Sequence, residues 1–230
     1  SAEAGYQYYE NDADLVDQIA ELIASEQVVG HFSDRAEFGP RALGSRSILG
    51  DARSLKMQET MNLKIKFRES FRPFAPAVLR EDVEDYFEMR PDENSPYMLL
   101  VAPVAQSTRL PVTSSDEKGL DKLKQVRSTI PAVTHVDYSA RVQTIDMAHH
   151  PRFYQIIKKF KEKTGSPVVI NTSFNVRGEP IVNTPEDAFR CFMNTNMDAL
   201  VLENFIILKQ DQPNAKEIDV EAYLKEFALD

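Results

Sequence analysis

The chain is poor in cysteine and histidine and has no long apolar run. One cysteine, Cys191, among 230 residues excludes an internal disulfide framework and points to a reducing compartment. Four histidines, no two of them at helical i, i+4 spacing beside a carboxylate, offer no cluster for a structural zinc, so no protein-held metal is expected. No apolar stretch approaches the ~20 residues that cross a bilayer, which excludes a transmembrane helix and makes a membrane partner unexpected. The opening Ser1-Ala2-Glu3-Ala4-Gly5 has neither the basic nor the apolar part of a signal peptide, and no initiator methionine. A processed or excised fragment of a cytoplasmic protein is expected. With 8 glycines, 13 prolines and 42% apolar residues, the composition is that of a globular chain able to bury a core. The spacing of a P-loop is missing, so is an internal repeat, and the acidic residues form no obvious general acid–base pair.

Net charge is −9, which argues against non-specific binding to nucleic acid. The average hides an asymmetry. Residues 31–80 hold ten Lys/Arg and five Asp/Glu, a local +5 in a chain whose remainder carries −14. A basic island in an acidic chain suits a compact anion, because a long polyanion needs a broader basic face.

Hydrophobic spacing predicts alternating helices and strands. Leu15, Ile19, Leu22 and Ile23 follow N-cap candidates at 11–14. Strands are expected at 27–32, 65–71, 98–104, 133–136, 140–145, 168–170 and, as one long strand, 199–208. Helices are expected from Ser54 to about 63, over 80–87, over 151–164 with Gly165 as the stop, after Thr184-Pro185, and over 220–228. Residues 105–130 are read as a mobile polar excursion. The expected class is α/β or α+β around a mixed sheet.

Three segments carry chemistry. Phe38-Gly39-Pro40-Arg41-Ala42-Leu43-Gly44-Ser45-Arg46 sets arginine forks on a backbone shaped by glycine, apt for phosphate or carboxylate oxygens. A charged loop paired with Glu37 and Asp51 is the plainer alternative. Lys66-Phe67-Arg68-Glu69-Ser70-Phe71-Arg72, if extended, projects Lys66 and Arg68 from one face roughly 7 Å apart, ready to converge on a phosphate. A solvated strand face is the alternative there. Asn171-Thr172-Ser173-Phe174-Asn175-Val176-Arg177-Gly178 leaves a buried strand at the end where open sheets place ligands; turn-forming polar residues would look the same. His135, Asp137 and Arg141 are lesser candidates for the same cleft. His31 and Cys191 read as packed core groups, and His149-His150 as exposed.

These three segments together resemble the C-terminal domain of the O-carbamoyltransferases, a family that includes nodulation-factor and antibiotic-tailoring enzymes. The likeness runs from about residue 28 to 209. It implies a YrdC-like fold, a twisted open mixed β-sheet flanked by helices with a basic nucleotide-binding cavity, over 13–230. Residues 1–12 would be a residual interdomain connection. Lys66-Phe67-Arg68 and Ser173-Phe174-Asn175 fit the family's Lys-x-Arg and Ser-x-Asn signatures.

The activity implied is carbamoyl-adenylate formation from carbamoyl phosphate and ATP, with Mg²⁺ entering alongside ATP. The carbamoyl group would pass to a hydroxyl acceptor in an N-terminal actin/sugar-kinase-like domain of the same enzyme. Lys66, Arg68 and Arg72 are the expected catalytic cations; Arg41, Arg46, Ser173, Asn175 and Arg177 are the expected nucleotide- and phosphate-binding set. Two departures stand out: Ser33-Asp34 and Asp137-Tyr138-Ser139 each carry a side chain where the family has glycine. The alternatives are a non-catalytic nucleotide- or RNA-binding YrdC-like module, and a domain inert until its partner domain completes the cavity.

Overall fold

The structure, a computed structural model, describes residues 5–111, 125–213, 215 and 220–227. Nine strands among them form a single mixed sheet. In chain order they are β1 (Gln7–Tyr8), β2 (Val29–Phe32), β3 (Arg46–Asp51), β4 (Ala75–Leu79), β5 (Leu100–Pro103), β6 (Ser139–Ile145), β7 (Val168–Ser173), β8 (Ala199–Leu202) and β9 (Phe205–Leu208). Their order across the sheet is β1-β9-β8-β2-β3-β7-β4-β6-β5. β2 with β8 and β4 with β6 run parallel, and the other neighbours antiparallel.

Helices cover both faces. α1 (Asp12–Ala24) and α4 (Pro151–Thr164) share one apolar layer with Val29, Leu49 and Val169. The Asn11 side chain caps α1 by accepting from the Ala13 N–H, and Gly165, at φ 78°, ends α4. α2 (Met57–Lys64), α3 (Val83–Tyr86), α5 (Pro185–Met193) and α6 (Val220–Lys225) contribute Met61, Val83, Phe192 and Tyr223 to the opposite layer. Thr184 and Asp187 form a reciprocal capping box at the start of α5. Every residue of β3 is buried, as expected of a strand covered on both faces.

Several expected elements differ. Residues 65–71 are not a strand. The Lys66 N–H donates to the Met61 carbonyl, Arg68 N–H to Asn62 and Arg72 N–H to Glu69, which folds the segment into consecutive turns. Phe67 sits at φ 47°, so Lys66 and Arg68 share no strand face. The apolar alternation there does not track burial: Ile65 and its neighbour Lys66 are both buried, while Phe71 is exposed. Ser54 does not cap α2; its hydroxyl accepts from Lys56 N–H and the helix starts at Met57.

Residues Pro131–Val133 form a 3-10 turn, with no strand at 133–136. The long strand at 199–208 is a hairpin, turned through Glu203 at φ 51°. β1, β3 and β4 are not among the expected strands: Gln7–Tyr8, placed in the expected connection 1–12, pair with β9 in the sheet, and arginine, glycine and proline interrupt the apolar pattern of β3 and β4. The excursion at 105–130 falls partly outside the described residues. Its described ends are paired, with the Leu110 N–H donating to the Arg127 carbonyl at 2.7 Å.

Candidate functional site

The C-terminal end of β7 meets the starts of β3 and β4, where Ser173 pairs with Ser47 and Asn171 with Ala75. Over this corner lies a pocket of about 150 Å³, walled by Arg41, Arg68, Arg141, Phe74, Met98 and the last three residues of β7, Asn171, Thr172 and Ser173. No carboxylate is among its lining residues. Three arginines therefore line one small space, which favours a compact anion.

Each cation is placed by a neighbour that the motifs alone do not reveal. Asn62, fully buried in α2, accepts from Arg68 Nε at 2.6 Å and donates to the carbonyls of Ser70 and Arg72. The Arg68 guanidinium also lies 4.8 Å from the Phe74 ring centre. Burial pushes the Arg68 pKa down to about 10, helped by the nearby Arg72 charge. Arg41 stands on the loop 38–44, which the half-buried Glu37 and the buried Gln143 and Asn171 pin from two sides. Glu37 Oε1 accepts from the N–H groups of Leu43, Ser45 and Arg46. Gln143 and Asn171 donate to the carbonyls of Leu43 and Ala42. Arg141, in β6, has a buried Nε with no partner, an orphan donor group beside the pocket. Gln143 and Asn62 were missed by sequence reasoning; a polar residue at an otherwise apolar position is the only signal either gave.

The remaining expected cations lie elsewhere. Lys66 is buried behind Ser173. Its ammonium donates to the carbonyls of Ser173 and Asn175 and to Asn175 Oδ1 at 2.8 Å, with Ser173 Oγ at 3.4 Å. Burial pulls its pKa down to about 7. Ser173 and Asn175 do meet, Ser173 Oγ donating to Asn175 Oδ1 at 2.7 Å. Arg46 is buried away from the pocket lining. It donates to the carbonyls of Ser33 and Asp34 and stacks 3.5 Å from the Phe32 ring centre. Arg72 and Arg177 are exposed and line no part of the pocket.

Asp34 and Tyr138, the two side chains at family glycine positions, adopt φ 56° and 63°, the conformation glycine would supply. Neither lines the pocket. His31, expected as a packed core group, is buried, with Nδ1 2.6 Å from the Gly44 carbonyl, and burial lowers its pKa to about 4. Among the described residues no cluster of three or more His, Cys, Asp or Glu could hold a metal, and no helix is long and apolar enough to cross a membrane.

Residues 20–209 match the family model described as carbamoyltransferase C-terminus. The uncharacterized protein sll1178 of Synechocystis is 56% identical over the whole of this chain, which covers 37% of that protein. The nodulation protein NolNO of Sinorhizobium fredii is 40% identical over 86% of this chain and 26% of its own length. The chain thus spans about a quarter to over a third of the length of these relatives. Full-length HypF, solved in a phosphate- and nucleotide-bound form, superposes on 91% of this chain with a TM-score of 0.50 at 15% identity, over 23% of the HypF chain. The fold is the YrdC-like open mixed sheet.

Proposed function

The chain belongs to the carbamoyltransferase C-terminal family, and from that premise we propose that it forms carbamoyl-adenylate from carbamoyl phosphate and ATP. The remainder of a longer O-carbamoyltransferase, including an N-terminal actin/sugar-kinase-like domain, then passes the carbamoyl group to a hydroxyl. A connection between the two parts is shorter than residues 1–12, since Gln7–Tyr8 pair with β9 and α1 begins at Asp12, and the use of ATP sets the reaction in the cytoplasm. The observation that carries the reading is the pocket lined by Arg41, Arg68, Arg141 and Ser173 with no carboxylate.

In this reaction carbamoyl phosphate gives up its phosphate to water, and the carbamate oxygen attacks the α-phosphorus of ATP as pyrophosphate leaves. Negative charge concentrates on phosphoryl oxygens, so the protein's work is positioning and cation stabilisation. In this reading the small pocket seats a phosphoryl group, with the nucleoside outside it. Arg68, its Nε committed to Asn62, offers its terminal nitrogens to the anion. Arg41 and Arg141 complete the clamp. Lys66 holds the turn of Ser173 and Asn175 from behind; Ser173 borders the phosphate end of the ligand, while Asn175, which does not line the pocket, braces Ser173. The lining supplies no carboxylate for Mg²⁺, which is carried by the oxygens of ATP itself.

The decisive assay is ATP–pyrophosphate exchange with the chain and carbamoyl phosphate. Exchange that depends on carbamoyl phosphate is expected. Folded chain that supports none overturns the reading. An O-carbamoylated product made by this chain alone would move the transfer site into this domain.

A further inference from the structure

The last part of the chain lies beyond the matched family segment, which ends at residue 209, yet it reaches the pocket. α6 sets Tyr223 in the apolar layer under α5, 3% exposed. Its hydroxyl donates to Glu179 Oε1 at 2.5 Å. Glu179 is buried too, and its other oxygen accepts from the Val176 N–H at 2.7 Å. The Glu179 carbonyl accepts from Asn175 Nδ2 at 2.7 Å, and Asn175 Oδ1 accepts from Ser173 Oγ in the pocket wall. A continuous series of hydrogen bonds therefore joins the last helix to the ligand-facing turn. The Tyr223 ring has separate support, edge-on to Phe227 at 5.2 Å and beneath the Arg190 guanidinium at 5.7 Å.

We infer that Tyr223 is a positioning residue for the anion pocket, acting through Glu179 to hold the turn that presents Ser173 and Asn175. This role rests on the phosphate-binding reading above. A buried carboxylate needs its donors, and Glu179 spends one oxygen on the hydroxyl from α6 and the other on the backbone of the turn. Docking of the C-terminal helix thereby sets the geometry of a site built from residues far earlier in the chain.

Tyr223→Phe removes the hydroxyl and leaves the ring. In the whole chain without ligand, amide hydrogen exchange at Val176 should speed up while Val168, Val169 and Ile170 in β7 stay as protected as before. Calorimetry with inorganic phosphate and with ATP should show affinity falling roughly three- to tenfold, the worth of one hydrogen bond. In an Asn175→Ala background the same change should weaken affinity less than it does in the wild type, since one of the two links from Glu179 to the turn is already cut and the Val176 N–H bond remains. Unchanged exchange at Val176, unchanged affinity beside a wild type that binds, or an equal loss in both backgrounds overturns the role alone. A folded wild type that binds neither ligand overturns the phosphate reading and this role with it.

Discussion

Arg68 concentrates the proposed chemistry in one side chain, since its guanidinium is held by Asn62, packed on Phe74 and open to the pocket. Charge-assisted contacts are worth roughly 1.5–3 kcal/mol, so Arg68→Ala should weaken ATP binding about tenfold or more. Arg68→Lys should not restore it, because an ammonium cannot keep Asn62 and reach the anion together. Calorimetry that finds Arg68→Ala unimpaired removes the residue from the site. Arg46 should behave oppositely. Buried against Phe32 with its donors on the Ser33 and Asp34 carbonyls, it serves the fold, and Arg46→Ala should lower stability by roughly 2–4 kcal/mol. Urea titration reads this; a loss below about 1 kcal/mol would count against it. Both arginines come from motifs that look alike in the sequence. Only burial, which depends on residues far away in the chain, separates the binder from the buttress.

The elements that were legible are those whose signals are local. Asn11, Gly165 and the Thr184-Pro185-Glu186-Asp187 box mark helix ends within a few residues, and α1, α4 and α5 fall where those signals place them. The turns at 65–71 were not legible, since their hydrogen bonds run back to α2 and Phe67 takes a backbone conformation that side-chain alternation does not report. The pocket was half-legible: Arg41, Arg68 and Ser173 line it, while Lys66 supports it from behind. That support carries a pH signature. The fold holds the Lys66 pKa at about 7 against an ordinary 10.5, so the unfolded chain binds the extra proton between those values. Stability should therefore rise with pH from about 7 to 10.5, and Lys66→Met should flatten the rise. Parallel curves for the two proteins would refute the assignment. The loop before β3 offers a second test at this scale. Gly44 sits at φ 128°, and a Cβ there would come within 2.6 Å of the Phe153 ring. Gly44→Ala should cost roughly 2–4 kcal/mol, read as a lowered thermal midpoint. A midpoint within a degree of wild type would contradict that packing.

At the scale of the whole molecule, an acidic body of net charge −9 surrounds a cationic pocket. Long-range repulsion should keep polyanions away while short-range forks hold a compact one. Filter binding to single-stranded RNA at 150 mM salt should therefore show nothing, and retention there would argue for the RNA-binding alternative. The pocket has a further consequence for how the chain folds. Its lining draws on Arg41, Arg68, Arg141 and Ser173, on segments that the fold brings together from about 130 residues of sequence. Contacts so distant along the chain close late and slowly, because each must first overcome the entropy of a long loop. Any anion bound there acts as a clasp on the finished sheet, and at a hundred times its dissociation constant it would deepen the native well by about 2.7 kcal/mol. A cell well supplied with such a ligand would thus keep the protein folded for longer than its bare sequence allows.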